Sequence, residues 1–307
     1  MSDEPIAPWS MRPYRDDDTQ HAVELLRAVA DVDGAAPPDE ASWRAFVDNG
    51  TNRGGGGFRC IEQGGRLVGL LVSGWFDDRE APGGVQLGRV LVHPAARRRG
   101  LGRALLRELE AHAARRGAGA IQGITRQKAA AGAAFCAQAG FRLLVHDLRM
   151  RRPMDLAIPP AAWPQAVTLR PYRGAEDDEP WAELANACFA RDTVAVQLTA
   201  QSMEEMRDDP GFEMRAAERD GRMIGFCWVN QGGPELGVLQ GLGVDANHRR
   251  GGVARALVVE ALQLLAAQAC TRVELTTEVD NEAAITLYRS LGFSIVEEIV
   301  SWRRELR

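Results

Sequence analysis

Apolar and polar positions follow one order of periods, and the chain runs through that order twice. Helical spacing comes first, over roughly Thr19–Ala30 and again over Pro180–Ala190, with a second helix near Asp39–Asp48 and Thr199–Asp208. Period-two runs follow. Phe58–Gln63 and Arg66–Phe76 are joined at Gly64-Gly65, and Glu213–Arg219 and Arg222–Asn230 at Asp220-Gly221. Asp-Gly between apolar runs is a strong hairpin signal. Apolar strands then end at Val92 and Val244, and long helices run over Leu101–Arg116 and Val253–Ala269. Each half closes with a strand (Ala120–Thr125, Arg272–Thr277), a short helix, a Gly-Phe pair and a last strand (Arg142–Met150, Ser294–Arg304). Gly54–Gly57 reads as a flexible loop.

The halves announce themselves in the sequence. Met11-Arg-Pro-Tyr-Arg15 echoes Leu169-Arg-Pro-Tyr-Arg173, and each precedes an acidic cluster suited to a helix N-terminus, Asp16–Asp18 and Glu176–Glu179. Met154–Pro164 between them is proline-rich and reads as a semi-rigid linker. The expected organisation is a domain over 1–153, a linker over 154–166 and a domain over 167–307.

One stretch in each half carries candidate chemistry. Val90-Leu91-Val92 leads into Arg97-Arg98-Arg99-Gly100-Leu101-Gly102, and Leu242-Gly243-Val244 leads into Arg249-Arg250-Gly251-Gly252-Val253-Ala254. The register between the copies is constant at 152, from Val92 to Val244 and from Gly100 to Gly252. A strand, a basic glycine-rich turn and a helix start together hold phosphate. The helix's first N–H groups have no partner and carry partial positive charge. Glycine permits close approach, and arginine adds charge. The spacing is not that of a P-loop, since the only lysine is Lys128, nor that of a dinucleotide-binding turn.

Both copies fit Arg/Gln-x-x-Gly-x-Gly/Ala, and each is followed after 40 residues by a Gly-Phe pair. This resembles the acetyl-CoA pyrophosphate loop of the GNAT N-acetyltransferase superfamily, and the element order resembles that family's over nearly the whole chain, twice. The resemblance implies an α/β (α+β) protein of two tandem GNAT folds. Each would be a mixed, mostly antiparallel sheet of about six to seven strands flanked by about four helices. It implies acetyl-CoA as the donor, bound at the two stretches named above, and a small-molecule or peptide amine as the acceptor.

The family's catalytic segment is matched in the second half alone. Asp280-Asn281-Glu-Ala-Ala-Ile-Thr-Leu-Tyr288-Arg-Ser-Leu-Gly-Phe293 resembles Asn-x-x-Ala-x-x-x-Tyr-x-x-x-Gly-Phe. By resemblance Asn281 caps the helix and reaches the pantetheine arm, and Tyr288 protonates the departing thiolate. The same register puts Ala129 and Cys136 in the first half. The resemblance therefore implies an active second domain and a catalytically degenerate first domain that binds CoA or supports the structure. Two other readings stay open, a non-catalytic acyl-CoA sensor and a chain with both domains active. Where many relatives carry a glutamate base, this chain has Val238 and Gln86; Glu235, Glu274 and Glu278 are the substitutes, with Glu235 first.

Composition narrows this picture. A formal net charge of −5 argues against nucleic acid as partner. The five cysteines lack metal-ligand spacing, so no metal is expected, and they fit reduced thiols in a cytoplasmic protein. There is no signal-like h-region near the N-terminus and no run of eighteen apolar residues, so no membrane partner is expected. Monomer and homodimer stay open.

Overall fold

The computed structural model describes residues 8–34, 37–48, 57–76, 83–126, 129–190, 198–209, 211–233 and 235–306. Apart from Gly57, the glycine loop expected at 54–57 lies outside them. The chain forms two compact units, Met1–Leu144 with Ile299–Arg307, and Val145–Glu298.

Unit 1 contains β1 (Trp9–Pro13), α1 (Thr19–Asp33), α2 (Glu40–Asp48), β2 (Arg59–Gln63), β3 (Arg66–Phe76), β4 (Val85–Val92), α3 (Leu101–Arg116), β5 (Ala120–Arg126) and α4 (Ala130–Gln138). β6 (Arg142–Pro153) begins in unit 1 and runs into unit 2. Unit 2 continues with β7 (Thr168–Pro171), α5 (Ala175–Phe189), α6 (Ala200–Arg207), β8 (Glu213–Arg219), β9 (Arg222–Gly233), β10 (Leu236–Val244), α7 (Val253–Ala267), β11 (Arg272–Glu278) and α8 (Glu282–Ser290). The final strand, β12 (Ser294–Glu305), ends in unit 1.

The strand order is β1-β2-β3-β4-β5-β12 in unit 1 and β6-β11-β10-β9-β8-β7 in unit 2. Among the described residues of each unit, only β4–β5 and β10–β11 are parallel. This is the expected mixed, mostly antiparallel sheet, six strands in each unit. Each unit takes its sixth strand from the other repeat. Ile299–Glu305 of β12 pairs with β5, and Asp147–Pro153 of β6 pairs with β11.

The Arg-Pro-Tyr-Arg echo has a structural reason. Arg170 grips buried Asp177 with both guanidinium nitrogens at 2.5 and 2.8 Å, and the Arg173 amide donates to the same carboxylate at 2.7 Å. Arg12 holds buried Asp18 in the same way at 2.7 and 2.6 Å, with the Arg15 amide at 2.8 Å. This anchor starts α5 at Ala175, ahead of the Pro180 start read from the sequence, because it fixes the acidic residues in the first turn. The hairpin at Asp220-Gly221 has φ of 53° and 73°, the left-handed pair that a two-residue turn needs.

Each core packs its long helix on its sheet. In unit 2, Leu257, Val258, Leu262 and Leu265 of α7 meet Leu239, Val244 and Leu275. In unit 1, Leu101, Leu105 and Leu109 of α3 meet Ile61, Leu71 and Ile121. Each such side chain contributes about 1.5–3 kcal/mol by leaving water. The segment 154–166 has no helix or strand, and Met154, Ile158 and Trp163 pack on the unit 2 core. Buried Arg152 ties it down, donating to the carbonyls of Leu156 and Ala157 at 3.0 Å and of Leu291 at 2.7 Å.

Candidate active site

The two phosphate turns have one backbone. Val92 and Val244 end their strands, a one-turn 3-10 segment follows, and Arg98 and Arg250 then adopt φ of 64° and 61°. Gly100 and Gly252 stand at the helix N-cap with φ of 84° and 92°. A Cβ at either glycine would meet nothing within 4 Å, so the space above both turns is open. Neither helix has a side-chain cap. The amides of Val253, Ala254 and Arg255, like those of Leu101, Gly102 and Arg103, thus face outward without an intrahelical acceptor. This arrangement fits a pyrophosphate.

The arginines divide their work. Arg249 Nε donates to the Val244 carbonyl at 3.0 Å, and Arg97 Nε to that of Val92 at 3.1 Å. Arg97 is further held by Asp33 at 3.0 and 2.9 Å. These two guanidinium groups brace the turn against its strand. His93 and His248 are local as well: His93 accepts from the Ala95 amide at 3.3 Å, and His248 lies 3.1 Å from Asp245.

Beside each turn the sheet opens. β10 and β11 pair only over Leu236–Val238 with Arg272–Glu274, and β4 and β5 only over Val85–Leu87 with Ala120–Gln122. Past those positions the parallel strands part, and among the described residues the edges at Leu242–Val244 and Val90–Val92 have no ladder partner on that side. Unit 2 adds a bulge. The β9–β10 register shifts between Leu239 and Gly241 and leaves Gln240 exposed, whereas β3–β4 pairs without a shift. Gly241 and Gly243 have a packing reason too, since a Cβ there would run into the rings of Trp228 and Phe226.

The helix beside each opening differs most between units. Asn281 is the N-cap of α8 and accepts from the Ala284 amide at 3.2 Å. Ala129, with nearly the same φ and ψ, caps α4 without a side-chain bond. Tyr288 is 7% exposed, and its ring packs 5.8 Å from Phe293. Burial pushes the phenol up to about 12. Among the described residues its hydroxyl has no hydrogen-bond partner. Cys136 is half-buried in the unit 1 core, and burial pushes its thiol up to about 11.

The structure does not bring Glu235 to this site. It precedes β10 at the end away from the phosphate turn, is exposed, and bonds Thr271 and Arg272. At about 3.3 Å per residue, it stands some 20 Å along the strand from Leu242. Glu274 is engaged by Arg151 at 2.8 Å. Gln86 is fully buried and donates to Ser73 Oγ at 2.7 Å.

A different carboxylate was missed in the sequence. Asp147 of β6 stands directly opposite Glu278 of β11. Burial and then the nearby Glu278 raise the Asp147 carboxyl, and His146 partly opposes them. Glu278 lies four residues past Glu274, the last β11 position paired to β10, on the stretch of β11 that has parted from β10. Leu148, Met150, Val273 and Leu275 point to the Tyr288 core, so strand alternation turns Asp147 and Glu278 to the other face.

Comparison with known proteins agrees with this fold. The model of the acetyltransferase (GNAT) family matches residues 12–141 and 176–293. The chain is 31% identical to the mycothiol acetyltransferase of Salinispora arenicola, covering 92% of each chain. It is 33% identical to that of Streptomyces avermitilis, covering 92% of this chain and 90% of that one. The fold is shared with a GCN5-related N-acetyltransferase from Sphaerobacter thermophilus, with TM-score 0.82, 21% identity and coverage of 97% and 96%. A tandem GNAT protein from the clavulanic acid biosynthesis pathway has TM-score 0.71, 23% identity and coverage of 97% and 98%. With the family's model matched in both repeats and relatives matched over about nine-tenths of each chain, this chain belongs to the GNAT acetyltransferase family.

Proposed function

We propose that unit 2 acetylates the primary amine of a small molecule from acetyl-CoA, and that unit 1 holds CoA without turning it over. The observation that carries this reading is the Tyr288 hydroxyl, which lacks a partner in a well-packed core beside an open, uncapped phosphate turn. The ring is buried but its hydroxyl is not sealed from solvent, so the proton it carries is within reach of a bound group.

Bound acetyl-CoA supplies a thioester and a thiol leaving group. Arg250–Ala254 hold its pyrophosphate with backbone amides, and the freed edge at Leu242–Val244 offers N–H groups to the pantetheine and the thioester carbonyl. Tyr288 keeps its proton throughout the neutral range, since burial pushes it to about 12, and donates it on the α8 face. On the opposite face, Asp147 and Glu278 attract the acceptor's ammonium and take its proton. Acid and base thus sit on different faces, so one takes the amine's proton as it adds to the thioester carbonyl while the other protonates the thiolate as the C–S bond breaks.

The mycothiol acetyltransferase relatives support a small-molecule acceptor over a peptide. All five cysteines are free thiols, which fits a reducing compartment such as the cytoplasm. No helix among the described residues is long and apolar enough to cross a membrane. In unit 1, Ala129 and Cys136 take the places of Asn281 and Tyr288, which supports a holding role. The test is thiol release from acetyl-CoA against a panel of small amines and peptides. Turnover with a small amine is expected; CoA binding without turnover on any amine would favour the sensor reading.

A further inference from the structure

Unit 1 contains two adjoining cavities. One, of about 540 Å³, runs along the phosphate turn to Phe135 of α4. The other, of about 360 Å³, lies between the β4–β5 opening and helices α1 and α2. Val29, Asp33, Val90, Leu91 and Gly132 line both, so the cavities meet where the strands part.

The second cavity has a rigid aromatic wall. Trp43 and Phe46 stack at 5.4 Å, and the Trp43 indole donates to the Tyr14 hydroxyl at 3.0 Å. Phe46 stays 36% exposed beside buried Trp43. Among the described residues of unit 2 the helix-side rings Trp181, Phe189, Phe226 and Trp228 come from α5 and β9, and α6 adds none. Matching Ser42 of α2 to Ser202 of α6 puts Met203 and Met206 at these positions, and Met203 is fully buried in the helix-side core. An acetyl group leaves most of 360 Å³ unfilled, given that a cavity of about 150 Å³ takes a benzene ring.

We propose that unit 1 is a holding site for a CoA thioester whose acyl group is apolar and larger than acetyl, a medium chain or an arene seated against Trp43 and Phe46. This rests on the reading of unit 1 as a CoA-holding unit. The phosphate turn names the carrier, and the adjoining cavity names the acyl group. Arg89 and Arg126 also line that cavity, so an acidic acyl group is the competing occupant.

The test is calorimetry on the full chain carrying Ala254→Glu, which sets a carboxylate at the unit 2 turn in a helix-compatible position. One CoA site is expected to remain. Hexanoyl-CoA and phenylacetyl-CoA should bind it at least about tenfold more tightly than acetyl-CoA, a fraction of what four buried methylenes can give. Phe46→Ala should erase most of that gain and leave the affinity for free CoA unchanged. Equal binding of acetyl- and hexanoyl-CoA overturns the proposal while the CoA-holding reading survives. A gain confined to glutaryl-CoA assigns selection to the arginines and also overturns it. Loss of all binding refutes the CoA-holding reading itself. Should Ala254→Glu not fold, the same site is read as the difference between the parent chain and Gly102→Glu.

Discussion

Asp147 and Glu278 face each other across the β6–β11 ladder, one from each repeat of the sequence. Like charges directly opposite on neighbouring strands destabilise a sheet. His146 partly offsets the repulsion, and an incoming ammonium would add a further compensating charge. Around this pair and Tyr288 the reading of unit 2 can be tested.

Asp147→Asn should make the protein more stable and less active. Burial and Glu278 raise the Asp147 carboxyl above its ordinary value of 3.8. A raised acid contributes its stability below the unfolded value and loses it as pH rises through the folded one. At pH 7 the ionised carboxylate thus costs stability that asparagine does not. Melting curves should show the variant ahead at pH 7, with the advantage shrinking as pH falls and gone below about 3.8. Turnover at pH 7 should drop by about 10²–10⁴. A variant as active as the parent would remove Asp147 from the mechanism.

Tyr288→Phe keeps the ring contact with Phe293 and deletes only the hydroxyl. Loss of a general acid costs on the order of 10²–10⁴ in kcat. Acetyl-CoA affinity, read by calorimetry, should stay within about twofold because no binding contact is removed. Cys136→Ala should leave turnover unchanged.

The two caps predict a reciprocal pair. Asn281→Ala removes the bond to the Ala284 amide and should cost about 1 kcal/mol in denaturant unfolding. Ala129→Asn, at nearly the same backbone angles, should recover a similar amount in unit 1. If Ala129→Asn is neutral, the two helix starts are not equivalent.

Gly241→Ala should be among the most damaging single-methyl changes. The new Cβ meets the Trp228 ring at the bulge, and overpacking of this kind costs about 1–3 kcal/mol. Unit 1 offers a control: Gly65→Ala has open space but a φ of 73°, so it should cost only the backbone penalty of about 1 kcal/mol. Comparing the two melting temperatures separates packing from backbone strain.

What the sequence determined by itself was everything that depends on neighbours along the chain. The twofold order of elements follows from side-chain period. The turns at Arg97–Gly102 and Arg249–Ala254 follow from where glycine is affordable to the backbone, and the Asn281 cap from a residue and an amide three positions apart. Tyr288 was legible because its helix and the Gly-Phe pair travel with it. Strand pairing is different, because its register is set by contacts between segments far apart in the chain. That register alone decided that β6 and β12 complete sheets in units the repeats do not mark. It moved the candidate base from Glu235, left at the strand's far end in an exposed ion pair, to Asp147, whose partner Glu278 is 131 residues away. Packing between distant segments likewise set Trp43 against Tyr14 and Phe58, ring neighbours that sequence spacing does not choose.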